Sequence, residues 1–246
     1  MREALVFGLI ASGALVLGGT LGAFWHAPRH LTGIALAFAS GTLISALCFE
    51  LFPEAVHLGG TTRAGIGLVA GAATFVAANT LLDKYVAQPE PDLQADQREV
   101  IHRASGGTGF ALLAAVTLDG VPENLALGVS LVEGESLVLL IAIFAANLPE
   151  ALVGGVAMRE AGRSRAFVVT VWVIVTVLLT AAVVLGWAAL GGAADGTLAV
   201  LLAFAGGAVL ASLADTLMPE AFEQGRPWNA FATVAGFFLS FVLAAS

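Results

Sequence analysis

Eight long apolar runs constrain the fold of this chain more than any other feature. Each has about the 20 residues that an α-helix needs to cross the hydrocarbon core of a bilayer. The composition agrees, because 59% of the 246 residues are hydrophobic and 11% are charged. We therefore predict an all-α polytopic membrane protein with eight transmembrane helices in a single domain over residues 1–246. The runs, numbered span 1 to span 8, cover residues 4–25, 32–57, 64–86, 107–132, 136–158, 166–190, 197–222 and 229–245.

The basic residues predict how these spans are oriented. With eight spans, Arg2 and Arg63 fall on one side of the membrane. Cytoplasmic loops are rich in Lys and Arg, so the side with the other eight is expected to be cytoplasmic. Both termini then lie outside the cytoplasmic membrane, and the long polar segment 87–105 is a cytoplasmic loop. The eight are Arg29, Lys84, Arg98, Arg103, Arg159, Arg163, Arg165 and Arg226.

Overall charge and cysteine content exclude other classes of protein. The net charge is −8 with only ten Lys and Arg residues, whereas nucleic-acid binding needs a clustered basic surface. Cys48 is the single cysteine, which excludes an intrachain disulfide framework and a multi-cysteine metal knuckle. We therefore expect no nucleic-acid partner. The apolar runs make the lipid bilayer the expected partner.

An internal repeat is visible at an offset of 166 residues. Residues 36–55 align without gaps on residues 202–221, with ten identities in twenty positions and Pro-Glu-Ala at the end of both. Under the charge-based orientation the two copies run in opposite directions. Inverted repeats around a midplane substrate site are typical of secondary transporters. We therefore predict a 3+2+3 inverted-repeat arrangement, with spans 4 and 5 at the centre.

Glycines recur within the spans and predict close packing of helices. Small residues let helix backbones approach each other in lipid, where apolar side chains alone give little specificity. Gly41, Gly65, Gly71 and Gly207 belong to this group. Such seams permit a homodimer but do not require one.

Seven acidic residues fall inside predicted spans, and no Lys or Arg lies deep inside any span. An Asp at the centre of a membrane helix costs roughly 2.5–3.5 kcal/mol on insertion scales. Bound metal ions or protons are therefore expected to neutralise these side chains. The seven are Glu50, Glu54, Asp119, Glu123, Glu150, Asp215 and Glu220.

Spans 4 and 5 carry the strongest candidate for a cation site. Asp119 and Glu123 are spaced i, i+4, so a helix presents both carboxylates on one side. Pro122 lies between them and frees a backbone carbonyl of the preceding turn as a further oxygen ligand. A second Pro-Glu pair follows 27 residues later in span 5, where Asn147 precedes Glu150 by three residues. We predict that the four side chains share one site near the midplane.

Further polar residues predict a metal pathway on either side of that site. Glu50, Glu54 and His57 are spaced i, i+4, i+7 in the outer half of span 2, while Asp215 and Glu220 lie toward the inner end of span 7. Simpler interpretations stay open at this point. Carboxylates near helix ends also cap neighbouring helices, and a histidine near a span end is more often an interfacial residue than a ligand.

These motifs resemble the ZIP (Zrt/Irt-like) family of divalent metal transporters over essentially the whole chain. The family's fourth helix carries His-Asn-x-Pro-Glu-Gly, where residues 119–124 read DGVPEN. Its fifth helix carries His or Gln, then Asn or Asp, then x-Pro-Glu-Gly, where residues 146–151 read ANLPEA. The resemblance implies metal ligands at Asp119, Glu123, Asn147 and Glu150. It also implies a metal ion that is transported substrate, with no prosthetic group.

The departures from the family pattern concern the ligands themselves. Asp119 replaces the usual histidine, Ala146 replaces a ligand of the fifth helix, and span 6 has no acid for a second metal. Manganese prefers oxygen ligands, whereas zinc favours nitrogen and sulfur ligands. Manganese or iron is therefore expected to compete well with zinc for this site.

The expected function is that of a divalent metal ion permease for zinc, iron or manganese, and not of an enzyme. One alternative is a transporter of another cationic or proton-coupled solute. The other is an intramembrane metal-dependent hydrolase. Catalytic zinc sites normally include histidine ligands, and the predicted spans contain no multi-histidine set, which argues against the hydrolase.

Overall fold

All regular secondary structure in the described part of the chain is helical, as the sequence predicts. A computed structural model describes residues 1–25, 27–86, 108–133, 137–190 and 192–244, with side chains except at 82–86, 108–119, 133 and 189–190. The predicted loop at 87–105 lies outside these residues. The α-helices are α1 (Arg2–Phe24), α2 (Arg29–Ala46), α3 (Phe52–Val86), α4 (Thr108–Glu133), α5 (Leu137–Glu160), α6 (Arg165–Leu190), α7 (Asp195–Ser212), α8 (Met218–Gly225) and α9 (Asn229–Ala244). Two π-helical turns, Leu47–Leu51 and Leu213–Leu217, join α2 to α3 and α7 to α8.

Five helical stretches in the described ranges are long and apolar enough to cross a membrane. Two shorter apolar helices, at Gly120–Val132 and Asn229–Ala244, accompany them. By length and composition, the fold is therefore that of a membrane-embedded helical protein. The five are Arg2–Phe24, Arg29–Leu81, Leu137–Glu160, Arg165–Ala188 and Asp195–Gly225.

The stretch Arg29–Leu81 is two helices that meet at Gly60. Its 53 residues would extend about 80 Å as one α-helix, far more than the thickness of a bilayer. Gly60 has φ 76° and ψ 164°, a backbone conformation that favours glycine and interrupts the helix. Gly59 and Gly67 both lie against the start of α7, at Ala199 and Val200 respectively. The chain therefore reverses at Gly60, and α3 consists of a short arm and a long arm that both pack on α7.

The two π-turns occupy equivalent positions in the two copies of the repeat. Both α2 and α7 have 18 residues, both are followed by a five-residue π-turn, and both π-turns precede a Pro-Glu pair. A proline inside a helix lacks the donor for the carbonyl four residues earlier, and its ring clashes with that carbonyl. A single residue separates the wider π-turn from Pro53 or Pro219, and the turn accommodates this clash without ending the helix.

Most contacts between helices in the described residues fall within two groups. Bundle A contains α1, α4, α5 and α6, in which α1 packs on α5 and α6, and α6 packs on α4. Bundle B contains α2, α3, α7, α8 and α9, in which α7 packs on α3, and α2 packs on α8 and α9. The bundles meet where α2 contacts α5 and where α4 contacts α7. Both predicted Pro-Glu helices, α4 and α5, belong to bundle A.

Glycines lie at the closest helix crossings of bundle B. A Cβ atom at Gly41 would overlap the carbonyl oxygen of Thr233 in α9, and one at Gly207 would overlap the carbonyl oxygen of Leu68 in α3. Because no side chain fits there, the helix backbones are in direct contact, as expected for small residues in lipid. Gly65 differs from this expectation, since a Cβ there would have no atom within 4 Å.

Candidate metal site

The Pro-Glu pair of α4 lies inside a continuous helix, and its carboxylate is buried. Helix α4 runs through Pro122 without a break. The ring removes the donor that would bind the carbonyl of Leu118, which weakens this turn of the helix. Glu123 follows directly and is only 8% exposed. Burial of a carboxylate away from water is costly unless its charge is balanced or it binds a proton.

Glu123 lines a cavity of about 10 Å³ between bundle A and bundle B. That volume is close to what a single water molecule needs. Every lining residue other than Glu123 is apolar, and the lining comes from α2, the first π-turn, α4, α5 and α7. The carboxylate therefore faces a small apolar space at the junction of the two bundles. The lining residues are Leu43, Leu47, Leu51, Glu123, Ala126, Leu139 and Val209.

Asn147 of α5 is buried and turned toward α1. Its Nδ2 donates a hydrogen bond to the backbone carbonyl of Ala11, with an N···O distance of 3.1 Å, and the residue is 3% exposed. This bond orients the amide group. An amide coordinates metal ions through its oxygen, so Oδ1 is the atom of Asn147 that fits the predicted role as a ligand.

Asn124 is a buried polar residue to which the sequence analysis assigned no role. Its Nδ2 donates to the carbonyl of Gly120 at 2.8 Å, and its Oδ1 accepts a longer bond from Ser12 Oγ of α1 at 3.4 Å. Asn124 is fully buried. The signal in the sequence is an amide directly after a Pro-Glu pair in an otherwise apolar helix. Its partner on α1 lies 112 residues away and could not be read from local pattern.

The predicted pathway residues lie on bundle B and differ in their surroundings. Glu50 and Glu54 are half-buried and His57 is exposed. Asp215 is exposed and accepts a hydrogen bond from Asn79 Nδ2 of α3 at 2.7 Å.

Glu220 is held near the start of α2 by a short chain of hydrogen bonds. Its Oε1 accepts from Gln224 Nε2 at 3.1 Å, and Gln224 Oε1 accepts from Thr32 Oγ1 at 2.9 Å. This chain links α8 to α2. Glu220 therefore has a structural contact beside its predicted place on a pathway.

The structure gives a partial account of the four predicted ligands. The backbone of Asp119 lies in α4, but its side chain lies outside the described residues. Among the described side chains, no group of three or more His, Cys, Asp or Glu residues lies close enough to hold a metal ion. Asn147 is not one of these residue types, so the predicted set of two glutamates, one aspartate and one asparagine stays a prediction.

Fold and helix composition define the class of this chain as a helical, membrane-embedded protein. Comparison with known proteins does not narrow that class, because no protein-family model matches the chain and no curated protein matches it.

Proposed function

We propose that the chain is a permease that moves a divalent metal ion, zinc, iron or manganese, across the cytoplasmic membrane. It would be a divergent member of the ZIP family, which its Pro-Glu motifs resemble. The observation that carries this proposal is the carboxylate of Glu123 in a small apolar cavity between two bundles. A cation that visits the cavity would stabilise the charged form of this buried carboxylate.

The proposal includes eight spans in a 3+2+3 inverted arrangement, and helix directions support it. In such an arrangement odd-numbered spans run one way and even-numbered spans run the other. Gly8 lies against Thr180 and Gly19 against Trp172, so α1 and α6 are antiparallel, as spans 1 and 6 should be.

Spans 3 and 7 should be parallel, and contacts of α3 with α7 support this as well. Gly67 lies against Val200, and Gly71 against Phe204. Helices α3 and α7 are therefore parallel. Together with the matching π-turns, these directions favour two copies that are related by inversion. The placement of both termini outside rests on the distribution of basic residues.

The division into bundles supports a mechanism of alternating access. Glu123 and Glu150 belong to bundle A, whereas bundle B contributes apolar side chains, Leu43, Leu47, Leu51 and Val209, to the cavity wall. A movement of bundle A against this wall would expose Glu123 to one side of the membrane at a time.

The test is metal uptake by the purified protein in proteoliposomes. Glu123→Gln keeps the volume of the side chain and removes its charge, so saturable uptake should fall to background. Glu223→Gln is the matched control, because Glu223 is an exposed glutamate of α8 outside the cavity, and uptake should be unchanged. Normal uptake by Glu123→Gln, at equal amounts of folded protein, would reject the site. Competition among zinc, manganese and iron then identifies the preferred metal.

A further inference from the structure

The two acid-bearing helices are connected to each other mainly through their neighbours. Within the described residues α4 and α5 touch only slightly, whereas α5 packs along α1, and α4 packs along α6. Helices α1 and α6 also pack on each other. Within bundle A, the relative position of Glu123 and Glu150 is therefore set mainly by the path from α4 through α6 and α1 to α5.

Three interhelical hydrogen bonds converge on two consecutive residues of α1. Asn147 of α5 donates to the carbonyl of Ala11 at 3.1 Å, and Thr176 Oγ1 of α6 donates to the carbonyl of Ser12 at 2.9 Å. Ser12 Oγ donates in turn to Asn124 Oδ1 of α4 at 3.4 Å. Two adjacent residues of α1 thus contact every other helix of bundle A through buried polar groups. We call Ser12, Asn124, Asn147, Thr176 and the Ala11 carbonyl the α1 clamp.

The hydrogen bonds of bundle A define the register between helices, which its glycine contacts leave less defined. Gly18 and Gly22 of α1 bring its backbone against Leu148 and Leu152 of α5. Such contacts allow close approach but leave rotation and small shifts along the helix axis less defined. A hydrogen bond in the water-poor interior has a preferred geometry, so it defines the register of the two helices.

Asn124 also supports the turn that contains Pro122. Its amide donates to the carbonyl of Gly120, one turn earlier in α4, at 2.8 Å. This side-chain bond spans the proline-weakened turn and joins it to Ser12. Glu123 lies directly before Asn124, so a shift of Asn124 would move the carboxylate as well.

We infer that the α1 clamp positions the carboxylates of α4 and α5, and that Ser12, Asn124 and Thr176 are positioning residues for the transported cation. This inference rests on the proposed function, since it concerns the same site. The three residues act through Glu123 and Glu150 and need no contact with the ion. Hydrogen bonds outside the ligand set tune metal sites when they orient the groups that coordinate the metal.

Two threonines of α6 provide a matched comparison. Thr176 and Thr180 lie one turn apart and are 8% and 6% exposed. The Thr176 hydroxyl binds the carbonyl of Ser12, whereas the buried Thr180 hydroxyl has no hydrogen-bond partner in the described structure. Thr→Val replaces a hydroxyl by a methyl group of similar size. Thr176→Val and Thr180→Val therefore differ in one lost hydrogen bond.

The decisive measurement is KM for metal uptake in proteoliposomes, with Vmax corrected for folded protein. Thr176→Val should raise KM about three- to tenfold, the loss expected for an interhelical hydrogen bond in a membrane. Thr180→Val should leave KM unchanged, and Thr176→Ser, which keeps the hydroxyl, should restore it. Equal KM values for the two valine variants would overturn the inference.

A second experiment does not depend on transport. Thermal unfolding in detergent is measured for Ser12→Ala, Asn124→Ala and the double variant, with Ser45→Ala as control. The Ser45 hydroxyl is also fully buried but has no hydrogen-bond partner in the described structure. The double variant should be more stable than the sum of the single losses predicts, because each single variant breaks the same bond. Additive losses would overturn the clamp.

These two experiments separate the clamp from the proposed function. A wild-type protein that takes up no divalent metal rejects the permease, while the unfolding cycle still tests the clamp. Coupled unfolding together with unchanged KM in Thr176→Val means that the clamp holds helices together without positioning the site, which overturns the inference as stated.

Discussion

The segments α2–α3 and α7–α8 have the same backbone plan and different chemistry at their π-turns. Each consists of an 18-residue helix, a five-residue π-turn and a helix with a proline at its second position, Pro53 or Pro219. In the first π-turn Phe49 packs edge-on against two phenylalanines of α9, with centroid distances of 5.9 and 5.0 Å. In the second, the equivalent residue is Asp215, which binds Asn79 of α3.

A second pair of equivalent positions differs in the same way. Glu50 of the first π-turn is half-buried, and its counterpart is Thr216. Thr216 is buried and donates its hydroxyl to the carbonyl of Ser212 in its own helix, at 2.5 Å. The comparison teaches that equivalent glycines and prolines accompany the same backbone in both copies, because a close helix crossing requires a glycine and a proline disturbs the preceding helical turn. The side chains of the π-turns are free of that constraint, so equivalent positions of the two copies can carry different chemistry.

Glycine substitutions test whether the two copies pack alike, and they should have the largest effect. Gly41→Ala and Gly207→Ala each place a methyl group on a neighbouring backbone carbonyl, so each should lower the free energy of unfolding by about 1–3 kcal/mol. Gly65→Ala is the control, because its methyl group meets nothing within 4 Å. Unfolding in detergent measures all three. If Gly41→Ala lowered the free energy of unfolding and Gly207→Ala did not, the two copies of the repeat would not pack alike.

A smaller effect should come from the polar pair that replaces the aromatic cluster. Asn79→Leu removes the donor to Asp215 and should cost about 0.6 kcal/mol, the average for interhelical hydrogen bonds in membrane proteins. In an Asp215→Leu background the same substitution should cost nothing, since the bond is already absent. Equal costs in both backgrounds would show that the pair does not stabilise this crossing.

The smallest expected effect concerns uptake, and it sharpens the functional side of the comparison. If Glu50 lies on the metal pathway, Glu50→Gln should raise KM for metal uptake about two- to fivefold, as expected for loss of a partly exposed charge interaction. Thr216→Val should leave KM unchanged, because the hydroxyl of Thr216 is bound within its own helix. An equal change in both variants would argue against a special role for Glu50.

Part of this fold could be predicted from local sequence. The all-helical class follows from the length of apolar runs and is confirmed, and five of the described helical stretches have the length and composition of membrane spans. The alignment at an offset of 166 residues also predicted that α2 and α7 correspond, although not that each ends in a π-turn. The hairpin at Gly60 was expected as a loop and is a one-residue break, because glycine adopts the positive φ that reverses the chain.

The candidate site was less accessible to such reasoning. Glu123 was predicted, and the structure describes it as buried in a cavity between bundles. Asn147 was predicted as a ligand on the basis of spacing and resemblance, whereas its bond to Ala11 links it to α1. Ser12 and Thr176 received no prediction at all. Serine and threonine are ordinary residues in membrane helices, and only the position of a partner distinguishes a clamp from a solitary hydroxyl.

By itself the sequence determined where helices lie and how long they are, because the length of an apolar run and the thickness of a bilayer decide this locally. Tertiary structure alone decided which side of each helix meets which neighbour. Rotation of a helix about its axis depends on packing against residues that are distant in the chain, as the bonds of Asn147 to Ala11 and of Thr176 to Ser12 illustrate at separations of 136 and 164 residues. No local pattern contains those separations, since they arise only when the bundles assemble.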